Sequence, residues 1–134
     1  MSMCTILLVE DHKLMAEALV KVLQQKGKFQ VVDIATTAEA ALERLSNLQV
    51  DLALIDVVLP HTGGIELVTA IREKYPHLPC LMISSWNSGQ YVKRSLGAGA
   101  RGYVLKDDIF EVMDGIQRVL DGGTYLSRHL TEEE

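Results

Sequence analysis

The sequence predicts an α/β fold in which a parallel β-sheet is covered by helices on both faces. Two features of the pattern predict it. Short apolar runs alternate with segments of helical period through five successive βα units. The apolar runs present hydrophobic side chains to both faces of the expected sheet, which is typical of parallel sheets because their crossover helices cover both faces.

The first two βα units are expected in the N-terminal part of the chain. Residues 5–9 predict a buried strand, and the helical apolar stripe that follows them ends at Gly27. Residues 29–35 predict the second strand. The next helix is expected to begin within Thr36-Thr37-Ala38-Glu39, a pattern typical of a capping box, in which a hydroxyl oxygen accepts a first-turn amide hydrogen.

The other three units show the same alternation of strand and helix. Prolines and glycines separate the segments, because proline cannot continue a helix and paired glycines mark turns. The strands are predicted at residues 52–55, 80–83 and 102–105, and the helices after Gly64, around residues 91–96 and at residues 108–121. The helix around 91–96 has the thinnest apolar stripe, and the helix at 108–121 is the most amphipathic.

Composition excludes several classes of protein. The chain has 134 residues, 48% of them hydrophobic, which is enough for one packed domain. Its net charge of −5 excludes a basic nucleic-acid module, and its apolar runs are too short to cross a bilayer. The N-terminus shows no secretion leader, and the two distant cysteines, Cys4 and Cys80, are expected to be reduced. We therefore expect a cytoplasmic protein without a membrane partner.

Polar side chains follow the predicted strands directly, at the edge where ligands bind in open parallel sheets. Glu10 and Asp11 follow the first strand, and Asp56 follows the third. Ser84 follows the fourth strand, and Lys106 follows the fifth. The sequence therefore predicts three carboxylates, a hydroxyl and an ammonium group at one edge of the sheet.

These groups suit phosphoryl transfer with a divalent cation. Three carboxylates held close together repel one another unless a cation lies among them, and Mg²⁺ prefers such hard oxygen ligands. The cation would neutralise an incoming phosphoryl group and leave one carboxylate usable as a nucleophile. Lys106 and Ser84 would contact other phosphoryl oxygens. The arrangement suggests transfer to Asp56, although the spacing alone does not distinguish the acceptor. Capping of the first helix is the simpler alternative for Glu10 and Asp11.

The residues that carry this chemistry resemble those of the receiver domain of bacterial two-component response regulators. The resemblance covers nearly the whole chain and rests on four separated elements in order: Val9-Glu10-Asp11-His12, Asp56-Val57-Val58-Leu59-Pro60 with Gly64, Ser84-Ser85, and Lys106. It implies a flavodoxin-like, doubly wound (βα)5 fold with a five-stranded parallel sheet of order 2-1-3-4-5. It also implies that Asp56 accepts a phosphoryl group from a sensor histidine kinase.

The resemblance implies a role for each residue of the site. The implied Mg²⁺ ligands, direct or through water, are Glu10, Asp11, Asp56 and the backbone carbonyl of Val58. The implied catalytic and switch residues around Asp56 are Ser84, Lys106 and Tyr103. Phosphorylation would draw Ser84 and Lys106 toward the new oxygens, and Tyr103 would turn inward and change the surface formed by the fourth helix, fifth strand and fifth helix. The chain would be a self-modifying phosphoacceptor, with no enzymatic turnover of other substrates.

Two stretches narrow the resemblance to the NarL/FixJ subgroup, whose members carry a LuxR-type helix-turn-helix. They are residues 97–107 and residues 122–127. We therefore expect residues 1–122 to form the receiver domain and residues 123–134 to be a tail or the start of a linker to a DNA-binding domain outside this chain. The implied partners are a histidine kinase, a second copy of the phosphorylated chain, and DNA through that further domain alone.

The sequence departs from the family pattern at three positions. Glu10 stands where aspartate is more frequent, so it is expected to reach the ion through water. Asp107 stands where the wider family usually has proline after the lysine. Trp86 stands where smaller or polar side chains are frequent, and we hypothesise that it slows the entry of water and small phosphoryl donors.

Other functions remain as alternatives. A stand-alone receiver that acts through protein contacts, or one that is never phosphorylated, has the same fold. A phosphatase with an aspartyl-phosphate intermediate needs an acid two residues after the nucleophile, where this chain has Val58. A nucleotide-binding module needs a glycine-rich phosphate loop, and neither GxGxxG after the first strand nor GxxxxGK[ST] occurs in the sequence.

Overall fold

Among residues 3–25, 27–128 and 130, which the computed structural model describes, six parallel strands form one sheet. The strands are β1 (Cys4–Val9), β2 (Phe29–Ala35), β3 (Leu52–Asp56), β4 (Cys80–Ser84), β5 (Gly102–Leu105) and β6 (Tyr125–Leu126). The helices are α1 (Lys13–Gln25), α2 (Ala38–Leu45), α3 (Gly64–Lys74), α4 (Gly89–Ala98) and α5 (Ile109–Leu120). None of these helices is long and apolar enough to cross a membrane.

The strand order is β2-β1-β3-β4-β5-β6, which confirms the predicted order 2-1-3-4-5 and the doubly wound topology. The predicted count of five strands is one too few, because β6 pairs with β5 through Gly102↔Tyr125 and Tyr103↔Leu126. A two-residue strand has no periodicity of its own, so its pairing partner alone decides that it forms. β6 lies within residues 123–134, whose assignment as a tail or linker stays a prediction.

The sheet has a hydrophobic core on each face, as expected from strands that are apolar on both sides. In β1, Leu7 and Val9 pack with α2, α3 and α4, whereas Ile6 and Leu8 pack with α1 and α5. All four side chains have no exposed surface. Burial of each such side chain stabilises the fold by about 1.5–3 kcal/mol relative to exposure. The two cores therefore pack the sheet between two layers of helices.

The helix starts differ in detail from the predicted ones. The N-cap of α2 is Thr37, whose hydroxyl oxygen accepts a hydrogen bond from Ala40 N at 3.0 Å. Glu39 does not complete a capping box, because with Thr37 as the N-cap the third helical position is Ala40. Glu39 Oε2 instead accepts a 2.6 Å hydrogen bond from Thr62 Oγ1. The helix with the thin apolar stripe, α4, begins earlier than expected, since the Ser88 hydroxyl caps it.

Both cysteines are free, as expected. Burial raises the pKa of the Cys80 thiol to about 12, so this group is a neutral part of the core.

Candidate functional site

The carboxyl edge of the sheet brings together three charged side chains from three strands. Glu10 follows β1, Asp56 ends β3 and Lys106 follows β5. The ammonium nitrogen of Lys106 lies 2.7 Å from Asp56 Oδ2 and 2.7 Å from Glu10 Oε1. Their side chains are 10%, 7% and 0% exposed for Lys106, Asp56 and Glu10 respectively. One cation therefore compensates two buried carboxylates, which is the arrangement that a buried charge requires.

A third carboxylate completes an acidic cluster. One carboxylate oxygen each of Glu10, Asp11 and Asp56 lies within 4.8 Å of the others, and Asp11 is exposed. Hard carboxylate oxygens at this spacing fit the ligand preference of Mg²⁺, which retains several waters and uses few protein ligands. An open cleft of about 470 Å³, lined by these three residues with Val58 and Lys106, leaves room for those waters.

Helix capping does not explain the acidic pair after β1. The N-terminal turn of α1 is capped by His12, whose Nδ1 accepts a hydrogen bond from Met15 N at 3.2 Å. Glu10 Oε2 accepts a hydrogen bond from His12 N at 3.1 Å, while its Oε1 contacts Lys106. Glu10 is thus oriented by the loop, and the exposed Asp11 lies at the mouth of the cleft.

The charges of the cluster shift one another's protonation. Burial, together with repulsion from Glu10, raises the pKa of Asp56 to about 6 against the opposing effect of Lys106. Burial disfavours the charged form of Lys106, but its hydrogen bonds to Asp56 and Glu10 outweigh that cost and raise its pKa. Lys106 therefore remains an ammonium group at neutral pH. A bound divalent cation would favour the ionised form of Asp56.

The loop after β3 holds Asp56 from the other side. Val58 N donates a 3.1 Å hydrogen bond to Asp56 Oδ1, and Gly64 N donates a 2.9 Å hydrogen bond to Val57 O. A Cβ atom at Gly64 would overlap the backbone carbonyl oxygen of Asp56, so the start of α3 can approach the strand end this closely only with glycine. This explains in physical terms why the matched motif includes that glycine.

The hydroxyls of Ser84 and Tyr103 meet at the backbone of Trp86. Ser84 Oγ accepts a 2.9 Å hydrogen bond from Trp86 N, and Tyr103 Oη donates a 2.7 Å hydrogen bond to Trp86 O. Ser84 lines a smaller cleft of about 310 Å³, which Lys106 also lines. The structure thus places Ser84 beside Lys106 and links it to Tyr103 through the backbone of one residue, Trp86.

Tyr103 is buried beside the candidate site. The residue is 0% exposed and its hydroxyl donates to Trp86 O, and its response to phosphorylation stays a prediction. Two contacts account for this position: the ring packs in the core with α3 and α4, and the backbone carbonyl of Trp86 accepts the hydrogen bond of the hydroxyl. The side chain of Trp86 is 58% exposed and lines the main cleft, so its effect on water entry stays a prediction.

A further buried carboxylate, outside the cluster at the strand ends, was not predicted from the sequence. Glu111, in the first turn of α5, is 2% exposed and accepts hydrogen bonds from residues 125, 127 and 128. In the sequence, its position next to Val112 in the amphipathic helix is only weak evidence that the side chain is partly buried. Its partners lie 14 to 17 residues further along the chain, so no local pattern identifies them.

Comparison with known proteins identifies the family. Residues 6–117 match the family model of the response regulator receiver domain. The DNA-binding transcriptional activator DevR/DosR of Mycobacterium tuberculosis is 35% identical over 105 residues, which cover 78% of this chain and 48% of that protein. The transcriptional regulatory protein DegU of Brevibacillus brevis is 29% identical over 127 residues, covering 94% and 54% of the two chains.

A solved structure shows the same fold. The two-component response regulator of the LuxR family from Aurantimonas sp. SI85-9A1 superposes with a TM-score of 0.92 at 28% identity, covering 96% of this chain and 93% of that one. This chain spans about half the length of the curated relatives it matches. The resemblance noted in the sequence is confirmed: the chain belongs to the family of response regulator receiver domains.

Proposed function

We propose that this chain is a phosphorylation-dependent switch in which Asp56 accepts a phosphoryl group from a sensor histidine kinase. One observation carries the proposal: the Lys106 ammonium group lies 2.7 Å from Asp56 Oδ2 in a cleft that also contains two further carboxylates. Receiver domains of this family take phosphoryl groups from histidine kinases and bind Mg²⁺ at an acidic pocket. The chemistry of this cleft is consistent with both properties.

The residues of the cleft divide the transfer step between them. A carboxylate oxygen of Asp56 forms a bond to phosphorus while the bond from phosphorus to the kinase histidine nitrogen breaks. The ammonium group of Lys106 remains protonated and contacts an equatorial phosphoryl oxygen, whose developing negative charge it stabilises. Glu10, Asp11, Asp56 and the backbone carbonyl of Val58 are the proposed ligands of Mg²⁺, which supplies neutralising charge for the transferring group. Self-catalysed loss of the group would use the same residues with water as acceptor.

The switch acts through the backbone of Trp86. Phosphorylation replaces the single carboxylate charge of Asp56 with a phosphoryl group that carries about 1.5 to 2 negative charges. If Ser84 Oγ moves toward a new phosphoryl oxygen to donate to it, the Trp86 amide hydrogen loses its present acceptor, and the backbone of Trp86, whose carbonyl accepts from Tyr103 Oη, is free to shift. The surface of α4, β5 and α5 would then respond to the state of Asp56.

The output is proposed to be dimerisation and control of transcription in the cytoplasm. In this proposal residues 1–122 form the receiver and residues 123–134 lead toward a LuxR-type helix-turn-helix outside this chain. Two similarities support it: DevR/DosR is a DNA-binding transcriptional activator and DegU is a transcriptional regulatory protein, and this chain covers only about half the length of each. The amphipathic helix α5, with Phe110 65% exposed, is the proposed contact between two phosphorylated copies.

Labelling with acetyl phosphate tests the acceptor. We expect the protein to gain the mass of one phosphoryl group in acetyl phosphate and Mg²⁺, on the peptide that contains Asp56, and to lose this gain in Asp56→Asn. Mass spectrometry measures both. Asp114→Asn, which changes an exposed aspartate on α5, is the matched control and should be labelled like the wild type. Labelling of Asp56→Asn at another carboxylate would contradict the assignment.

Occupancy of the site is expected to change the assembly state. Beryllofluoride with Mg²⁺ mimics the phosphoryl group, so light scattering should show a shift from monomer toward dimer when both are added. Phe110→Glu should reduce that shift, because it places a charge in an apolar contact. A wild type that binds beryllofluoride and stays monomeric would contradict dimerisation through α5.

A further inference from the structure

A buried carboxylate on α5 accepts three hydrogen bonds from the segment that follows the helix. Glu111 Oε2 accepts hydrogen bonds from Tyr125 Oη at 2.8 Å and from Arg128 N at 2.9 Å, and Glu111 Oε1 accepts one from Ser127 Oγ at 2.7 Å. Burial opposes ionisation of Glu111, but these hydrogen bonds outweigh it and lower its pKa. We name Glu111, Tyr125, Ser127 and Arg128 the C-terminal clasp. It holds residues 125–128 against the domain.

The Ser127 hydroxyl has a defined direction within the clasp. An ionised carboxylate only accepts hydrogen bonds, so the hydroxyl hydrogen of Ser127 is committed to Glu111. The lone pairs of Ser127 Oγ then face Leu105 N, which donates to them at 3.0 Å. Ser127 itself is 5% exposed, so water does not replace this bond freely.

Leu105 is the last residue of β5 and immediately precedes Lys106. Lys106 N donates a 2.8 Å hydrogen bond to Ser84 O on the opposite side of β5, and Ser127 N donates a 3.0 Å hydrogen bond to Tyr103 O. The end of β5 is therefore anchored on one side by β4 and on the other by Ser127. The side chain of Lys106 leaves this anchored point and reaches Asp56 and Glu10.

We propose that Ser127, oriented by Glu111, is a positioning residue for Lys106, so that docking of residues 125–128 and occupancy of the phosphoacceptor site favour each other. The proposal rests on the proposed function of Asp56. A bond that fixes Leu105 limits how far the Lys106 backbone can move, and hence where its ammonium group lies. Coupling of two equilibria is reciprocal: if the docked segment strengthens anion binding at Asp56, a bound anion must strengthen docking by the same factor.

The first test measures the equilibrium affinity for beryllofluoride at saturating Mg²⁺. Trp86, the single tryptophan of the sequence, lines the cleft, so its fluorescence reports binding. We expect Ser127→Ala to weaken apparent affinity by about fivefold, the effect of one hydrogen bond. Ser127→Thr retains the hydroxyl and should restore affinity. Glu111→Gln should act in the same direction as Ser127→Ala, because it removes the charge that orients the hydroxyl.

Tyr125→Phe is the matched control. It removes one hydrogen bond to Oε2 of the same carboxylate and leaves the path from Oε1 through Ser127 to Leu105 intact. We expect its beryllofluoride affinity to remain within about twofold of the wild type, even if it loses as much stability as Ser127→Ala. Thermal melts of all variants separate a general loss of stability from loss of positioning. Equal weakening in Tyr125→Phe and Ser127→Ala would overturn the positioning role.

The second test measures the same coupling in the opposite direction, as the effect of beryllofluoride binding on the docked segment. Beryllofluoride with Mg²⁺ should slow hydrogen exchange of the Ser127 and Arg128 amides in the wild type, and this slowing should shrink in Ser127→Ala. Unchanged exchange in the wild type would overturn the coupling. A wild type that binds no beryllofluoride and takes no phosphoryl group would overturn the proposed function and this proposal together. Normal binding by Ser127→Ala would overturn this proposal alone.

Discussion

Lys106→Ala is expected to slow phosphorylation of Asp56 by acetyl phosphate about 100-fold, the usual effect of removing one group that stabilises charge in a transition state. Lys106 supplies the one cation that contacts both Asp56 and Glu10 among the described residues, at 2.7 Å from each. Its loss removes the charge that faces the transferring phosphoryl oxygens. It also leaves two buried carboxylates uncompensated, which raises the pKa of Asp56 beyond about 6.

The pH profile separates these two effects. In Lys106→Ala the labelling rate should rise with pH further above neutrality than in the wild type, because a smaller fraction of Asp56 is ionised at pH 7. Quantitative mass spectrometry over a pH series measures this rate. Lys93→Ala changes an exposed lysine of α4 by the same charge and should match the wild type. A Lys106→Ala variant labelled at the wild-type rate would exclude Lys106 from the transfer step.

Asp56→Asn is expected to be more stable than the wild type at pH 7 without divalent cations, by roughly 2–3 kcal/mol in the free energy of unfolding. The pKa of Asp56 is raised from 3.8 to about 6 in the folded protein, first by burial. An acid with a raised folded pKa stabilises the fold below its unfolded pKa, and this contribution is lost as pH rises through the folded pKa. The wild type therefore loses stability relative to Asp56→Asn between about pH 4 and pH 7.

Urea unfolding of both proteins in EDTA over this pH range gives the contribution of Asp56 and the groups coupled to it, because titrating groups outside the cluster contribute equally to both proteins. The two free energies should converge near pH 4 and diverge toward pH 7. Saturating Mg²⁺ should shrink the difference at pH 7, since the ion binds the folded wild type through the Asp56 carboxylate. A difference that does not change with pH would show that Asp56 has an ordinary pKa in the folded protein. A difference that Mg²⁺ leaves unchanged would contradict the metal site.

The positions of the strands are easier to predict from this sequence than the positions at which the helices begin. Residues 29–35 and 102–105 coincide with β2 and β5, because a continuous apolar run between turn residues has few alternatives. The cap of α2 was less certain, since Thr36 and Thr37 are chemically equivalent candidates. Thr37 caps the helix and Glu39 binds Thr62, a residue of another loop.

The candidate site also has features that the sequence predicts and features that depend on packing. The order of the motifs along the chain predicts that Glu10, Asp56 and Lys106 lie at one edge of the sheet, because parallel strands share a carboxyl edge. Sequence patterns did not show that one ammonium group would contact both carboxylates, since that depends on the packing of β1, β3 and β5 side by side. The roles of these residues in transfer stay predictions for the experiments above.

The amino-acid sequence by itself determined the alternation of strands and helices, the two-faced core and the identity of the charged residues at the strand ends, because these follow from local periodicity and turn chemistry. The tertiary structure alone decided the contacts between residues far apart in the chain. It buried Tyr103 against the backbone of Trp86, added β6 to the sheet and joined Glu111 to Ser127. Such contacts depend on where separate segments meet in space, and the free energy of burying and pairing polar groups there has no counterpart in any short stretch of sequence.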